Sequence, residues 1–68
     1  MKYSEEAIGK TAGAIWNILN DKGEISFSNL HKESGLTRDE FLLGLGWLFR
    51  EGQLKTHEVK SSVIFNLK

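Results

Sequence analysis

TRDEFLLGLGWLFREGQL, from Thr37 to Leu54, is the stretch that decides the fold of this chain. Thr37 and Glu40 have the T-x-x-E spacing of a capping box, in which each side chain accepts a hydrogen bond from the other residue's backbone N–H at a helix start. Leu36 and Phe41 have the spacing of a hydrophobic staple, an apolar contact across the same start. Both signals predict a helix that begins directly after Thr37.

The apolar residues that follow predict which side of this helix is buried. They recur as one broad helical face, with Phe41, Leu45 and Leu48 at its centre and Leu42 and Phe49 on its flanks. Arg50 then suits the negative end of the helix dipole, and Gly52 supplies a left-handed stop. The helix is therefore predicted over residues 38–51.

Length and composition indicate one small domain. The sequence has 68 residues, nine basic and nine acidic, and a formal net charge of zero. A chain of this size buries only about 60% of its unfolded surface, so we expect a single domain over 1–68 with a small core. The absence of cysteine excludes disulfides, a thiolate nucleophile and cysteine-ligated zinc. His31 and His57 are far apart in sequence and lack a second ligand at metal-binding spacing, so we expect no metal and no cofactor.

The apolar pattern also argues against a membrane protein. The longest apolar run, Phe41 to Phe49, is far shorter than the roughly 20 residues that span a bilayer. Glu5 and Glu6 lie where a signal peptide would need an apolar core. We therefore expect a soluble, cytoplasmic protein.

Two more helices are predicted upstream. Ser4 is a plausible N-cap for a helix over 4–20, and Tyr3 and Ile8 have the spacing of a staple at its start. Ser26 caps a second helix over 27–34. Only Gly35 and Leu36 separate this helix from the Thr37 cap of the next one, so the two helices must cross steeply, as in a helix-turn-helix.

After the last helix the apolar period changes from that of a helix to that of a strand. Residues 53–59 and 63–67 are predicted strands, joined by a hairpin tip at Lys60-Ser61-Ser62. A very short strand is predicted near Ile25. The expected core consists of Ile8, Ile15, Leu19, Leu30, Phe41, Leu45, Leu48, Leu54 and Phe65.

This order of elements resembles the winged helix-turn-helix fold. LGWLFREGQL, residues 45–54, looks like the L-G-W-L-x-R-E-G-x-(I/L) ending of the third helix in a group of small, mostly uncharacterised prokaryotic winged-helix proteins. SFSNL, residues 26–30, is similar to the second-helix opening of winged-helix regulators. The resemblance implies an α+β domain of three helices followed by a two-stranded wing, and a regulator-like role in binding double-stranded DNA.

In a DNA-binding winged helix, the outward face of the third helix enters the major groove and the wing contacts the backbone or the minor groove. The helical period places Asp39, Leu43, Gly46, Trp47 and Arg50 on that outward face. Base readers are normally polar, so this face departs from the DNA-reading pattern. The candidate DNA contacts are Arg38, Arg50, Lys55, His57, Lys60, Ser61 and Ser62.

Apolar and small residues outside the predicted core suggest a partner surface. Gly9, Gly13 and Trp16 could form a groove on the first helix that another backbone approaches closely. Leu43 and Trp47 are one turn apart and could form an apolar patch, although Trp47 could equally belong to the core. Because a two-fold pair needs only one self-complementary patch, we expect a homodimer, without knowing which helix forms its interface.

Two functions remain open from the residues. Fold analogy favours a DNA-binding regulator. Zero net charge, Asp39 and the apolar pair on the third helix favour a winged helix that serves protein interaction or dimerisation. An enzyme is not expected, because Gly44-Leu45-Gly46 lies inside a helix and no serine or histidine has the neighbours of a catalytic triad. We therefore expect no small-molecule substrate.

Overall fold

The fold consists of three helices and a three-stranded sheet. The computed structural model describes residues 3–68. Its elements are α1 (Glu5–Lys22), β1 (Ile25–Ser26), α2 (Phe27–Ser34), α3 (Arg38–Arg50), β2 (Leu54–Val59) and β3 (Ser62–Leu67). The predicted order is confirmed, including the short first strand. The predicted bounds of α2 are confirmed, and those of the other helices and strands differ by one or two residues at an end.

The capping box that anchored the sequence prediction is present at the start of α3. The Glu40 N–H donates to Thr37 Oγ1 at 3.2 Å, and the Thr37 N–H donates to Glu40 Oε1 at 3.0 Å. The Thr37 hydroxyl also donates to Glu40 Oε1, at 3.1 Å. The backbone N–H and the hydroxyl of Thr37 both stabilise the carboxylate, so they lower the pKa of Glu40 from its ordinary value.

The sheet is antiparallel, with strand order β1-β3-β2, so β2 forms an open edge. Ile25 pairs with Phe65 on one side of β3, and Leu54 pairs with Leu67 on the other. Val59 pairs with Ser62, which leaves a two-residue tip at Lys60-Ser61 and makes Ser62 the first residue of β3. Lys60 has a φ of 57°, a left-handed conformation that hairpin tips usually give to glycine or asparagine.

One apolar core lies between the helices and one face of the sheet. It consists of Ala12, Ile15, Leu19, Ile25, Leu30, Phe41, Leu45, Leu48, Leu54 and Phe65. Eight of the nine predicted core residues are among them. Ile8 is half-buried, so its assignment to the core was wrong. Gly44 of α3 meets α1 further along, at Thr11, Ala12 and Ile15, one to two turns beyond Ile8.

Gly44 permits the close contact between α1 and α3. A Cβ at this position would lie 2.7 Å from Ile15 Cδ1 and 2.9 Å from Thr11 Cγ2. The close backbone approach suspected at Gly9 and Gly13 is not made within residues 3–68, because a Cβ on either would have no heavy atom of another part of the fold within 4 Å. The glycine that the packing requires is thus on the third helix, and the sequence analysis did not identify it.

We expect Glu40→Gln to reduce the acid sensitivity of the fold. The folded pKa of Glu40 is lowered, so its carboxylate stabilises the folded chain fully above its ordinary pKa of 4.5, and this contribution is lost as the pH falls through the folded pKa. Urea unfolding at pH 7 and pH 3 should show a smaller loss of stability in Glu40→Gln than in the wild type. Thr37→Ala removes the N-cap and should cost about 1 kcal/mol at pH 7. An equal loss in the wild type and in Glu40→Gln would contradict the assignment.

We expect Gly44→Ala and Gly46→Ala to change stability in opposite directions. Either substitution adds about 1 kcal/mol of helix propensity. At Gly44 the methyl group must displace the buried Ile15 and the half-buried Thr11, which typically costs about 1–3 kcal/mol, whereas at Gly46 the space is open. In thermal unfolding, the melting temperature of Gly44→Ala should therefore lie below that of the wild type, and that of Gly46→Ala above it. A Gly44→Ala variant that melts above the wild type would refute the close contact.

Candidate nucleic-acid interface

Hydrogen bonds of the turn between α2 and α3 set the angle of the helix pair. Gly35 ends α2 in a left-handed conformation, with a φ of 67°. The Ser34 hydroxyl donates to the His31 carbonyl at 2.7 Å and accepts from the Leu36 N–H at 3.2 Å. His31 Nε2 lies 3.0 Å from the Leu36 carbonyl, and since a carbonyl can only accept, Nε2 carries the hydrogen. The turn is therefore held to α2 through both the N–H and the carbonyl of Leu36.

An aromatic cluster holds α3 against α2 and the sheet. The ring of His31 stacks on Phe41 with centroids 4.7 Å apart, and Phe27 meets Phe41 edge to face at 5.3 Å. Phe27 also lies 6.0 Å from Phe65 on β3, and Phe49 lies 6.1 Å from the same ring. These contacts orient α3 so that the side opposite Phe41 faces solvent.

The outward face of α3 is largely as the helical period predicted. Asp39, Leu43, Gly46 and Arg50 are exposed. Trp47 is half-buried and packs against the core, so it is neither fully buried nor a free aromatic surface.

The exposure of Leu42 and Phe49 corrects the buried face that the sequence analysis predicted for α3. Leu42 and Phe49 were predicted to flank the buried face, but they are 42% and 50% exposed. The core closes around Phe41, Leu45 and Leu48, and this flank of α3 stays largely in contact with solvent.

An apolar depression forms where Tyr3 meets α3. Tyr3, Asp39, Leu42 and Leu43 line it, and its volume is about 440 Å³. Tyr3 is 68% exposed and contributes to this surface, so the staple predicted between Tyr3 and Ile8 is not a buried contact. The sequence offered no signal for the depression, because its residues come from segments about 40 positions apart.

The basic residues of the wing and of α3 differ in their ionic contacts. His57 Nε2 lies 3.4 Å from Glu24 Oε2, and Arg50 Nη1 lies 3.9 Å from the neighbouring Glu51. Lys55, Lys60 and Arg38 are exposed and form no ion pair within residues 3–68. These three cations remain available to an anionic ligand.

The predicted DNA contacts do not all lie together. Ser61 and Ser62 line a cleft of about 190 Å³ with Ser26, Ser28 and neighbouring residues, so the hairpin tip faces the start of α2. Lys55 and His57 lie nearer the base of the wing, with Lys55 paired to Asn66 and His57 to Ile64 of β3. Lys60 follows Lys55 by five positions, which is about 16 Å at the rise of an extended strand. The wing therefore presents a row of contacts rather than one pocket.

Candidate metal ligands are not clustered in the part of the chain that the structure describes. Within residues 3–68, no three side chains of histidine, cysteine, aspartate or glutamate are grouped so that they could hold a metal ion. No helix in the same range is long and apolar enough to cross a membrane.

Three helices, a tight α2–α3 turn and a β2–β3 hairpin define this chain as a winged helix-turn-helix domain. The sequence matches the family described as "Winged helix-turn-helix domain (DUF2582)" over residues 1–67. The chain belongs to that family. Domains of this type typically bind DNA and are not typically enzymes. No curated protein matches the sequence.

A solved structure shows the same fold. The Zα domain of Carassius auratus PKZ, crystallised in complex with Z-DNA, superposes with a TM-score of 0.74 and is 24% identical. The match covers 91% of this chain and 98% of that one. The likeness confirms the winged-helix architecture, including the wing.

We expect His31 to stabilise the helix-turn-helix in two separable ways. His31→Ala removes an aromatic stack worth about 0.5–1.5 kcal/mol and a hydrogen bond worth about 1 kcal/mol. His31→Phe keeps the stack and loses only the bond to Leu36. Chemical denaturation should rank the wild type above His31→Phe, and His31→Phe above His31→Ala. Equal stability of all three would show that the turn does not depend on this side chain.

Proposed function

We propose that this domain binds double-stranded DNA through the phosphate backbone, with the wing as its main contact. The observation that carries this proposal is the pair of exposed wing lysines, Lys55 and Lys60, which no carboxylate in residues 3–68 neutralises. Lysine ammonium groups gain affinity for DNA by displacing condensed counterions from phosphates. The residues assigned to the contact are Arg38, Arg50, Lys55, His57, Lys60, Ser61 and Ser62.

The outward face of α3 supports only weak discrimination between DNA sequences. Base edges are read by side chains that match their donors and acceptors, chiefly Arg, Lys, Asn and Gln. The outward face of α3 presents Leu43 and Gly46 in those places, and Asp39 repels phosphate. Arg50 is the one cationic donor among these outward positions. Binding therefore depends on the shape and charge of the duplex more than on its sequence.

Zero net charge limits the affinity. Acidic residues distributed over the rest of the surface oppose approach to DNA at long range. A few phosphate contacts give measurable binding at low salt and little at physiological salt. The Zα domain of the matched structure is bound to Z-DNA, which supports the use of this fold for a duplex.

A second function is supported by the depression at Tyr3, Leu42 and Leu43. An exposed apolar surface on the helix that should read DNA is typical of a protein-interaction or dimerisation module. Self-association is part of the proposal.

We place the activity in the cytoplasm of a prokaryotic cell, where the chromosome is accessible to such a protein.

We expect Lys55→Gln/Lys60→Gln to weaken duplex binding and also to reduce the dependence of that binding on salt concentration. Removing two phosphate contacts should lower the slope of log K against log salt by about 2, at about 0.9 per contact. Fluorescence anisotropy with a labelled duplex, from 20 to about 200 mM salt, measures both the affinity and the slope.

Lys10→Gln/Lys22→Gln is the matched control, since it removes the same charge from α1. It should leave the slope near that of the wild type. Equal loss in the two variants would mean that only net charge matters and that the wing is not the contact. Absence of wild-type binding at 20 mM salt would refute DNA binding itself.

A further inference from the structure

The exposed face of α3 has opposite charges at its two ends and small and large residues between them. Asp39 lies in its first turn and Arg50 at its last residue, about 16 Å apart along the helix axis. Leu43 and Gly46 lie between them, and all four positions fall within one narrow sector of the helix. Such a stripe is complementary to the same stripe on a second copy of the helix that runs in the opposite direction.

A two-fold axis through the middle of this stripe brings opposite charges together and places a large residue against a small one. The pairs Asp39–Arg50 and Leu43–Gly46 share one midpoint, between Gly44 and Leu45. Two copies of α3 packed antiparallel about that point would each place Asp39 opposite Arg50 of the second copy. Leu43 would lie opposite Gly46 of the second copy. Each contact is made twice, as an isologous interface requires.

The depression beside Asp39 has the chemistry of an arginine site. Asp39 supplies a carboxylate, Tyr3 an aromatic ring, and Leu42 with Leu43 an apolar floor. An arginine side chain matches all three, because its guanidinium pairs with carboxylates and stacks on rings while its methylene stem covers apolar surface. Within residues 3–68, the only ionic contact of Arg50 is with Glu51 at 3.9 Å, and the Arg50 side chain is 81% exposed.

Gly46 provides the space that the pairing needs. A Cβ on Gly46 would have no heavy atom of another part of the fold within 4 Å, so the fold of the single chain does not explain this glycine. In a helix interior, glycine is unfavourable by about 1 kcal/mol relative to alanine. Leu43 is 37% exposed. In the paired helices, the space left by the absent side chain of Gly46 would receive Leu43 of the second copy.

We propose that two copies of this chain associate through antiparallel α3 helices, with Arg50 of each copy seated in the depression formed by Tyr3, Asp39, Leu42 and Leu43 of the other. The interface is one helix wide and therefore small, so the association is weak and reversible. It covers the outward face of α3, withdraws Arg50 from DNA and leaves both wings free. The association does not depend on DNA binding, and its test contains no DNA.

The test uses two single variants, Asp39→Arg and Arg50→Asp. Each variant alone places like charges in both symmetric contacts, which should weaken self-association about tenfold. Mixing the two variants restores both pairs in a heterodimer, because the arginine at 39 then faces the aspartate at 50. Sedimentation equilibrium up to about 1 mM, a range suited to a small interface, should show monomers for each variant and dimers for the wild type and the mixture.

Two further measurements separate this interface from effects on folding. Gly46→Leu should raise the melting temperature of the single chain and abolish the dimer, since the leucine fills the hole. Asp21→Arg and Lys32→Asp make the same charge changes on exposed positions of α1 and α2, and both should associate like the wild type.

Three results would overturn the proposal. One is a monomeric wild type at about 1 mM, the limit set for so small an interface. Another is self-association of Asp39→Arg or Arg50→Asp at wild-type strength. The third is a mixture of folded variants that stays monomeric, with folding checked by circular dichroism. Dimerisation unaffected by any α3 variant would place the interface elsewhere, for example on the Gly9, Gly13 and Trp16 surface of α1.

Discussion

The contact between α1 and α3 at Gly44 is the constraint on which the rest of this structure depends. Ile15 and Thr11 approach the third helix where a side chain would otherwise stand. A 68-residue chain without disulfides has few apolar residues to bury, so its helices must pack closely to exclude water. The close contact also fixes the direction of α3, and the aromatic stack of Phe41 with His31 then fixes α2. The position of the wing follows from both.

Charge and apolar surface are divided unusually between the two parts that a winged helix offers to a ligand. The wing has Lys55 and Lys60 without acidic partners in residues 3–68, whereas α3 presents Leu42 and Leu43 to solvent. Phosphate and protein surfaces require different chemistry, the first cationic and the second largely apolar at its centre. The proposed DNA contact of the wing and the proposed protein contact of α3 therefore use different surfaces of the domain.

The sequence predicted the fold well because local signals marked nearly every boundary. The capping box of Thr37 and Glu40, the serine caps and the glycines after each helix act within a few residues of the chain, so periodicity and spacing were sufficient. Properties that depend on contacts between distant segments were predicted less well. Gly44 could not be distinguished from Gly9 or Gly13, since only the crossing of two helices gives it a role. The depression beneath Tyr3 has the same origin, and the assignment of site residues to DNA stays a prediction.

The open edge of β2 has a consequence for the behaviour of this protein at high concentration. An unpaired strand edge is a template on which another chain can add a strand, and a six-residue edge is long enough to begin such growth. Lys55 and Glu58 place charge on that edge, and Lys60 adds a charge at the hairpin tip just after it. Natural sheets discourage such growth with charged edge residues, so we expect the wing lysines also to limit fibrous aggregation. A variant stripped of them to test ligand binding would become less soluble for a reason unrelated to its ligand.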